Sequence, residues 1–284
     1  MLMKHKPFGT TGVDLPVIGQ GTWNMPESGS ARREAQRAIV RGIELGMTHL
    51  DTAEMYGAGA VERFLGETIH EIPRAKLFIT TKVLPSNASY QGTLEAAQRS
   101  LERLRCGYLD LYLLHWPGSY PLQETMQALE ALVERGTTRF VGVSNFETGA
   151  MLEAASYLRA VPLACNQVLY HLGERGIEHE LIPAARQRGI AIVAYTPFGR
   201  GGFLRMANGR GVLENVARKH GATPRQVVLA FLTREPNVFA IPKAAQPAHV
   251  QENAAAGSLT LDAGDIAAID EAFPRGRPGP LATL

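Results

Sequence analysis

GMTHLDTAEMYGAGAVERFLGETIHEIPRAKLFITTKV, residues 46–83, holds two short apolar runs separated by a helical pattern. The first run, GMTHL, leads into Asp51, and the second, AKLFITT, leads into Lys82. Each predicts a buried strand, because its apolar character is nearly continuous rather than alternating, as in strands covered on both faces of a parallel sheet. Between them, AVERFLGETI (60–69) reads as a helix. The alternation continues outward. ARREAQRAIVRGIEL (31–45) is a helical pattern before the first run, QGTLEAAQRSLERL (91–104) is one after Lys82, and a third apolar run, LDLYLL (109–114), leads into His115. Strand–helix repeats build a parallel sheet or barrel whose strand C-terminal ends collect at one face. Asp51, Tyr56, Lys82 and His115 can therefore meet.

The rest of the chain keeps this rhythm. KPFGTTGVDLPVIG (6–19) predicts a small hairpin turning at Gly9 to Gly12, which can plug one end of a barrel and leads into a first strand near Pro16 to Gly19. Beyond His115 the strands TTRFVGVS (137–144), PLACNQV (162–168), IAIVAY (190–195) and VFAIP (238–242) alternate with helical patterns at 121–136, 148–158, 177–189 and 247–257. A glycine-rich insert, TPFGRGGFLRMANGRG (196–211), breaks the rhythm before helical stretches near 211–220 and 224–234. The sum is eight strand–helix units in a single domain spanning 1–284, with a terminal helix at 261–273 and a Pro/Gly-rich tail, PRGRPGPLATL, expected to be mobile. The predicted fold class is α/β, an (α/β)8 TIM barrel with an N-terminal β-hairpin plug and extra helices near the C-terminus.

Composition narrows the function classes. A chain of 284 residues that is 45% hydrophobic and 20% charged suits a globular protein with a large core, and one α/β barrel typically uses about 250 residues. The formal net charge of +2 gives little pull toward nucleic acid or an anionic membrane. The start, MLMKHKPFGTTG, has no sustained apolar region and no stretch approaches the roughly 20 residues that span a bilayer, so a cytoplasmic location is expected. Cys106 and Cys165 form no CxxC pair and read as reduced core thiols. The eight histidines include no HxH strand-end pair and no HExxH helix, so no metal site is expected and a metal hydrolase is the weakest alternative. Nothing in the pattern fixes the oligomeric state, for which a monomer is the working expectation.

The four polar residues complement one another chemically. A phenol with an ordinary pKa of about 10 holds its proton too tightly to be an efficient acid at neutral pH, and a neighbouring cation such as Lys82 lowers that value. Asp51 holds the lysine charged and oriented. His115, neutral and bearing a ring N–H, can bind the oxygen that receives the proton and polarise a carbonyl. The set suits reduction of C=O to CHOH, and the hydride must come from a nicotinamide cofactor. Taken singly, each has a plainer reading: Asp51 as a helix cap, Tyr56 as packing, Lys82 as a rim charge, His115 as a satisfied buried imidazole. Four complementary residues on one barrel face are hard to obtain as independent accidents. An aldolase using Lys82 as a Schiff base is a further alternative.

LDTAEMYGAGAVE, TTKV, LLHWPG, VGVSN, NQVLYH, AYTPFGRGG and IPKAAQPAHVQEN, in that order, resemble the aldo-keto reductase superfamily over essentially the whole chain, closest to bacterial methylglyoxal-reductase-type members. The resemblance implies NADPH/NADP+ binding without a Rossmann domain, with NADH as a weaker alternative, and a catalytic set of Asp51, Tyr56, Lys82 and His115. Tyr56 would be the general acid in reduction. It also implies that Gly21, Thr22, Trp23 and Asp51 border the nicotinamide end, that Ser144, Asn145 and Gln167 bond its carboxamide, and that Tyr195 stacks on the ring. Thr196, Pro197, Phe198 and Arg200 would follow the pyrophosphate. Trp23, Tyr56, His115 and Trp116 would line a pocket for a small carbonyl substrate such as methylglyoxal. Some relatives serve as nicotinamide-binding regulatory subunits of channels, which keeps a non-enzymatic redox sensor as the alternative.

The adenosine end departs from the pattern. Lys243 is kept, but Ala244 and His249 stand where the best-studied branches carry serine and arginine that grip the 2′-phosphate, while Glu252 and Asn253 match positions near adenine. A lysine binds phosphate as a point charge, whereas losing arginine removes bidentate hydrogen bonding. Lys243→Ala is expected to raise KM for NADPH far more than for NADH in steady-state assays; equal effects on both would remove the phosphate assignment.

Overall fold

A computed structural model describes residues 2–199 and 207–284. An antiparallel hairpin of β1 (His5–Pro7) and β2 (Asp14–Pro16) comes first. Eight parallel strands then line up in sequence order: β3 (Gln20–Gly21), β4 (His49–Asp51), β5 (Phe78–Val83), β6 (Leu109–Leu114), β7 (Thr138–Ser144), β8 (Leu163–Leu169), β9 (Ala191–Tyr195) and β10 (Val238–Ala240). The sheet curls until its edges meet. Ile18 bridges Ala240 and Gly21 bridges Lys243, with Gly19 N donating to Ala240 O at 2.8 Å and Ala240 N to Val17 O at 3.0 Å.

Ten helices, α1 (Gly29–Glu44), α2 (Ala60–Ile69), α3 (Tyr90–Leu104), α4 (Leu122–Glu134), α5 (Thr148–Tyr157), α6 (Leu181–Gln187), α7 (Ala207–Lys219), α8 (Pro224–Leu232), α9 (Pro247–Ala256) and α10 (Ala263–Ala272), complete the order among the described residues. Their ends follow local chemistry. Ser89 accepts from Gly92 N at the start of α3, and Thr223–Gln226 and Asp262–Asp265 form reciprocal caps on α8 and α10. The expected eight-unit α/β barrel is what the chain forms, with α7 and α10 as the additional helices.

Strand alternation separates two apolar layers. Leu50, Ile79, Tyr112, Val141, Val168 and Ile192 face the helices, while Phe78, Leu111, Leu113, Cys165, Val193 and Phe239 fill the barrel interior. Phe8 from the hairpin turn is completely buried in that interior, its ring edge-on to Phe78 at 5.5 Å and to Phe239 at 5.2 Å. Gly9 makes the turn possible: its φ is +58°, and a Cβ there would lie 2.6 Å from Gly189 O. The hairpin thus seals the end of the barrel opposite the strand C-termini.

Three expectations need correction. The first barrel strand is Gln20–Gly21 rather than Pro16 to Gly19, because Pro16 pairs with His5 in the hairpin and residues 17–19 bond across the seam to β10. The 177–189 pattern splits into a 3-10 turn, Gly176–Glu178, and α6, since Pro183 is tolerated only in a helix's first turn. The tail is tied down. Arg275 Nε meets Glu178 Oε2 at 3.0 Å, His179 Nε2 and Gly276 O lie 3.1 Å apart, and Leu281 N donates to Glu147 Oε1 at 3.2 Å.

Glu178 is the hub of that attachment. Its carboxylate also accepts from fully buried Arg175, from Arg234 and from the Tyr170 hydroxyl at 2.6 Å, and Arg175 reaches on to Asp270 of α10. Burial disfavours the charge, but bonds from Arg175 and Tyr170 and the Arg234 charge outweigh it and hold the carboxyl at about 2 instead of 4.5. A depressed folded value means that the stabilisation is complete above the unfolded value and is lost as pH falls through the folded one. Glu178→Gln is expected to cost about 3 kcal/mol in urea unfolding at pH 7. The gap to the parent protein should close between pH 4.5 and about 2.

Candidate active site

Asp51 ends β4 and Lys82 lies one residue before the end of β5, and the register Asp51 to Thr80 sets the lysine beyond the aspartate along the sheet. Lys82 is fully buried, and its ammonium bonds Asp51 Oδ1 at 2.7 Å, Thr52 O at 2.8 Å and the Tyr56 hydroxyl at 3.4 Å. The second Asp51 oxygen accepts from Gln167 Nε2 at 2.7 Å. All three ammonium protons are thereby engaged.

The loop after β4 is stitched over the end of β5. Thr52 N donates to Thr80 O, Glu54 N to Lys82 O, and the Glu54 carboxylate accepts from Leu84 N at 2.7 Å and Asn87 Nδ2 at 2.9 Å. Gly57, Ala58 and Gly59 all adopt positive φ in the turn that follows Tyr56, and a Cβ at Gly59 would come within 2.6 Å of Arg103. Arg103 in turn is fixed by buried Glu62 at 2.5 Å. Glu54, Glu62 and Arg103 carry no motif of their own, and only the fold brings them behind the tyrosine.

His115 follows β6 and sits edge-on to the Tyr56 ring at 5.9 Å and against Trp116 at 4.7 Å. Its Nδ1 is buried with no protein partner. Burial, reinforced by the Lys82 charge, lowers the imidazole to about 2, so the ring is neutral. Burial works against the charge on Lys82, yet Asp51 and Tyr56 outweigh it and hold the ammonium above its ordinary value. Tyr56 contradicts the expectation of a lowered phenol: burial raises it, and the Lys82 charge only partly offsets this.

A cavity of about 210 Å³ opens above this cluster. It is lined by Asp51, Tyr56, His115 and Trp116, by Gly21, Thr22 and Trp23 from the first strand end, and by Ser144, Asn145, Gln167, Tyr195, Thr196 and Lys243. Lys82 lies beneath this lining. Met55, Ile241 and Leu284 also line the cavity, and sequence reasoning missed all three. Leu284 arrives there only through the tail contacts described above, which leave no local pattern.

Asn145 knits the rim. Its Nδ2 donates to His115 O at 3.1 Å and its Oδ1 accepts from the Tyr195 hydroxyl at 2.8 Å. Asn145 at φ 62° and Thr196 at φ 51° both occupy the left-handed region, and for a β-branched threonine that conformation is strained.

Other expected site residues lie away from the cavity lining. Pro197 is buried and Phe198 half-buried on the loop leaving β9. Ala244 is buried, His249 is exposed, Glu252 accepts from Thr223 Oγ1 at 2.7 Å, and Asn253 is buried on α9. Arg200 lies outside the described residues. Among the described residues no group of three or more His, Cys, Asp or Glu is arranged to hold a metal ion, and no helix is long and apolar enough to cross a membrane.

Comparison with known proteins agrees with this geometry. The chain is 44% identical to methylglyoxal reductase YeaE of Escherichia coli strain K12, covering 96% of each chain, and 35% identical to glyoxal reductase of Bacillus subtilis strain 168, covering 95% of this chain and 93% of that one. Its fold superposes on an aldo-keto reductase from Klebsiella pneumoniae crystallised with NADPH at a TM-score of 0.92, with 39% identity and full coverage of both chains. The model of the aldo/keto reductase family matches residues 17–273, and the chain belongs to that family.

Proposed function

We propose that the protein reduces small aldehydes and ketoaldehydes, methylglyoxal among them, to alcohols with NADPH, Tyr56 acting as the proton donor. The observation that carries this reading is a fully buried ammonium, paired with Asp51, 3.4 Å from a phenol at the floor of a small cavity beside a neutral imidazole. As a family member the chain is an oxidoreductase acting on carbonyl groups.

The donor set fits a nicotinamide cofactor. Hydroxyl and amide groups of Ser144, Asn145 and Gln167 suit a carboxamide, Tyr195 offers a flat aromatic face, and Lys243 supplies a cation at the cavity edge. NADPH, when bound, supplies the hydride. The protein's own residues manage the proton. A carbonyl oxygen in the cavity would lie between the Tyr56 hydroxyl and the His115 ring, whose unpaired Nδ1 leaves its single proton free to sit on Nε2. As negative charge develops on that oxygen, Tyr56 gives up its proton, and the Lys82 ammonium stabilises the resulting phenolate. Asp51 and Thr52 O keep the ammonium in place through this change.

Burial of Tyr56 gives it a defined role: the phenol stays protonated until the hydride moves. The apolar rim of Trp23, Met55, Trp116 and Leu284 and the small volume match a compact carbonyl substrate.

Mixing the protein with NADPH and methylglyoxal should consume reduced nicotinamide; NADPH binding without turnover on any of a short aldehyde panel would refute the substrate class. Tyr56→Phe is expected to lower kcat by about 10²–10⁴-fold, the range of a lost general acid, while NADPH binding measured by fluorescence titration stays close to the parent value. Because the phenol is raised, kcat for reduction should hold through neutral pH and fall only above the ordinary phenol value of about 10.

A further inference from the structure

NADPH differs from NADH by one phosphate, a dianion that needs cations with free N–H donors. Among the described residues few stand near the cavity. Lys243 sits at the cavity edge, and burial lowers its ammonium. Ala244 has no donor, and the exposed imidazole of His249 cannot make the bidentate contact of a guanidinium.

A guanidinium stands elsewhere on the same side. Arg225 is the second residue of α8, and its Cζ lies 5.0 Å from the ring centroid of Phe198, three residues past Tyr195 on the loop that leaves the catalytic cavity. It forms no ion pair with an acid among the described residues. The acids nearby are already engaged: Glu214 accepts from Arg210 at 2.7 Å, and Glu252 accepts from Thr223 at 2.7 Å. Arg225, Glu252, Arg210 and Glu214 border a second cavity of about 250 Å³. Stacking on Phe198 fixes one face of the guanidinium and leaves its N–H edge available. The first turn of α8, where Pro224 has no N–H and Thr223 caps Gln226 N, adds partial positive charge at the same point.

We propose that Arg225 is the specificity-determining residue for the 2′-phosphate of NADPH, a guanidinium provided by α8 in place of one at position 249. The assignment rests on the reading of the protein as an NADPH enzyme. Phe198 is its platform, and Lys243 is the second cation. The device uses residues far apart in sequence, joined where the Thr223–Glu252 bond ties α8 to α9.

Isothermal calorimetry with 2′,5′-ADP and 5′-ADP separates the possibilities without turnover. In Arg225→Ala the affinity for 2′,5′-ADP is expected to fall about tenfold or more, the scale of a lost charged hydrogen bond, with 5′-ADP changing less than about twofold. Arg225→Lys should recover part of the loss, which a folding defect would not allow. Equal weakening of both ligands would assign Arg225 to the adenine or to the fold and overturn the proposal, as would unchanged binding of both. A parent protein that binds neither NADPH nor 2′,5′-ADP would instead refute the NADPH reading itself.

Discussion

The ion pair of Lys82 and Asp51, sealed from water inside the open end of the barrel, is the constraint on which the site depends. Withdrawing two ions from solvent costs several kcal/mol each and is tolerated only when every proton and lone pair finds a partner. Here the ammonium's three partners come from β4, the loop after it and Tyr56, while Gln167 of β8 completes the carboxylate. The pair therefore fixes the relation of three strands and one loop at once. Its neighbours inherit their protonation from it. The positive charge helps keep His115 neutral and works against the burial that raises Tyr56.

Around that pair the strand ends depart from comfortable geometry. Asn145 and Thr196 hold positive φ beside the cavity, at a cost on the order of 1–3 kcal/mol each for such positions. Asn145 is compensated by bonds to His115 O and the Tyr195 hydroxyl, so the rim of three strands is rigid where a ligand would be gripped. At the opposite end of the barrel Phe8, Phe78 and Phe239 pack as an aromatic plug. Stability and chemistry are assigned to different ends of one cylinder.

Much of this was legible in the sequence because strands buried on both faces have an unmistakable apolar signature, and Asp51, Lys82 and His115 punctuate three of them. Tyr56 was legible through its place shortly after the first. What escaped depends on distant partners. The path of the tail rests on Glu178, which gathers Arg175, Arg234, Tyr170 and Arg275 from separate elements. The direction of the Tyr56 shift also escaped, since a sequence displays the neighbouring cation but not the depth of burial that outweighs it. Pro183 shortened a helix that its periodicity extended, and the seam at residues 17–19 took backbone that the pattern assigned to a strand.

The closing seam has a consequence for how the chain acquires its shape. Ile18 meets Ala240, and Gly21 meets Lys243, so the contacts that complete the cylinder join the first strand to the last. Loop-closure entropy makes such non-local pairings slow to form. Until they form, β3 and β10 are bare edges with unpaired backbone groups, the kind of surface on which chains adhere to one another. The same seam carries Lys243 into place, so a molecule whose sheet has not closed lacks both its protection against association and the cation at its cavity edge.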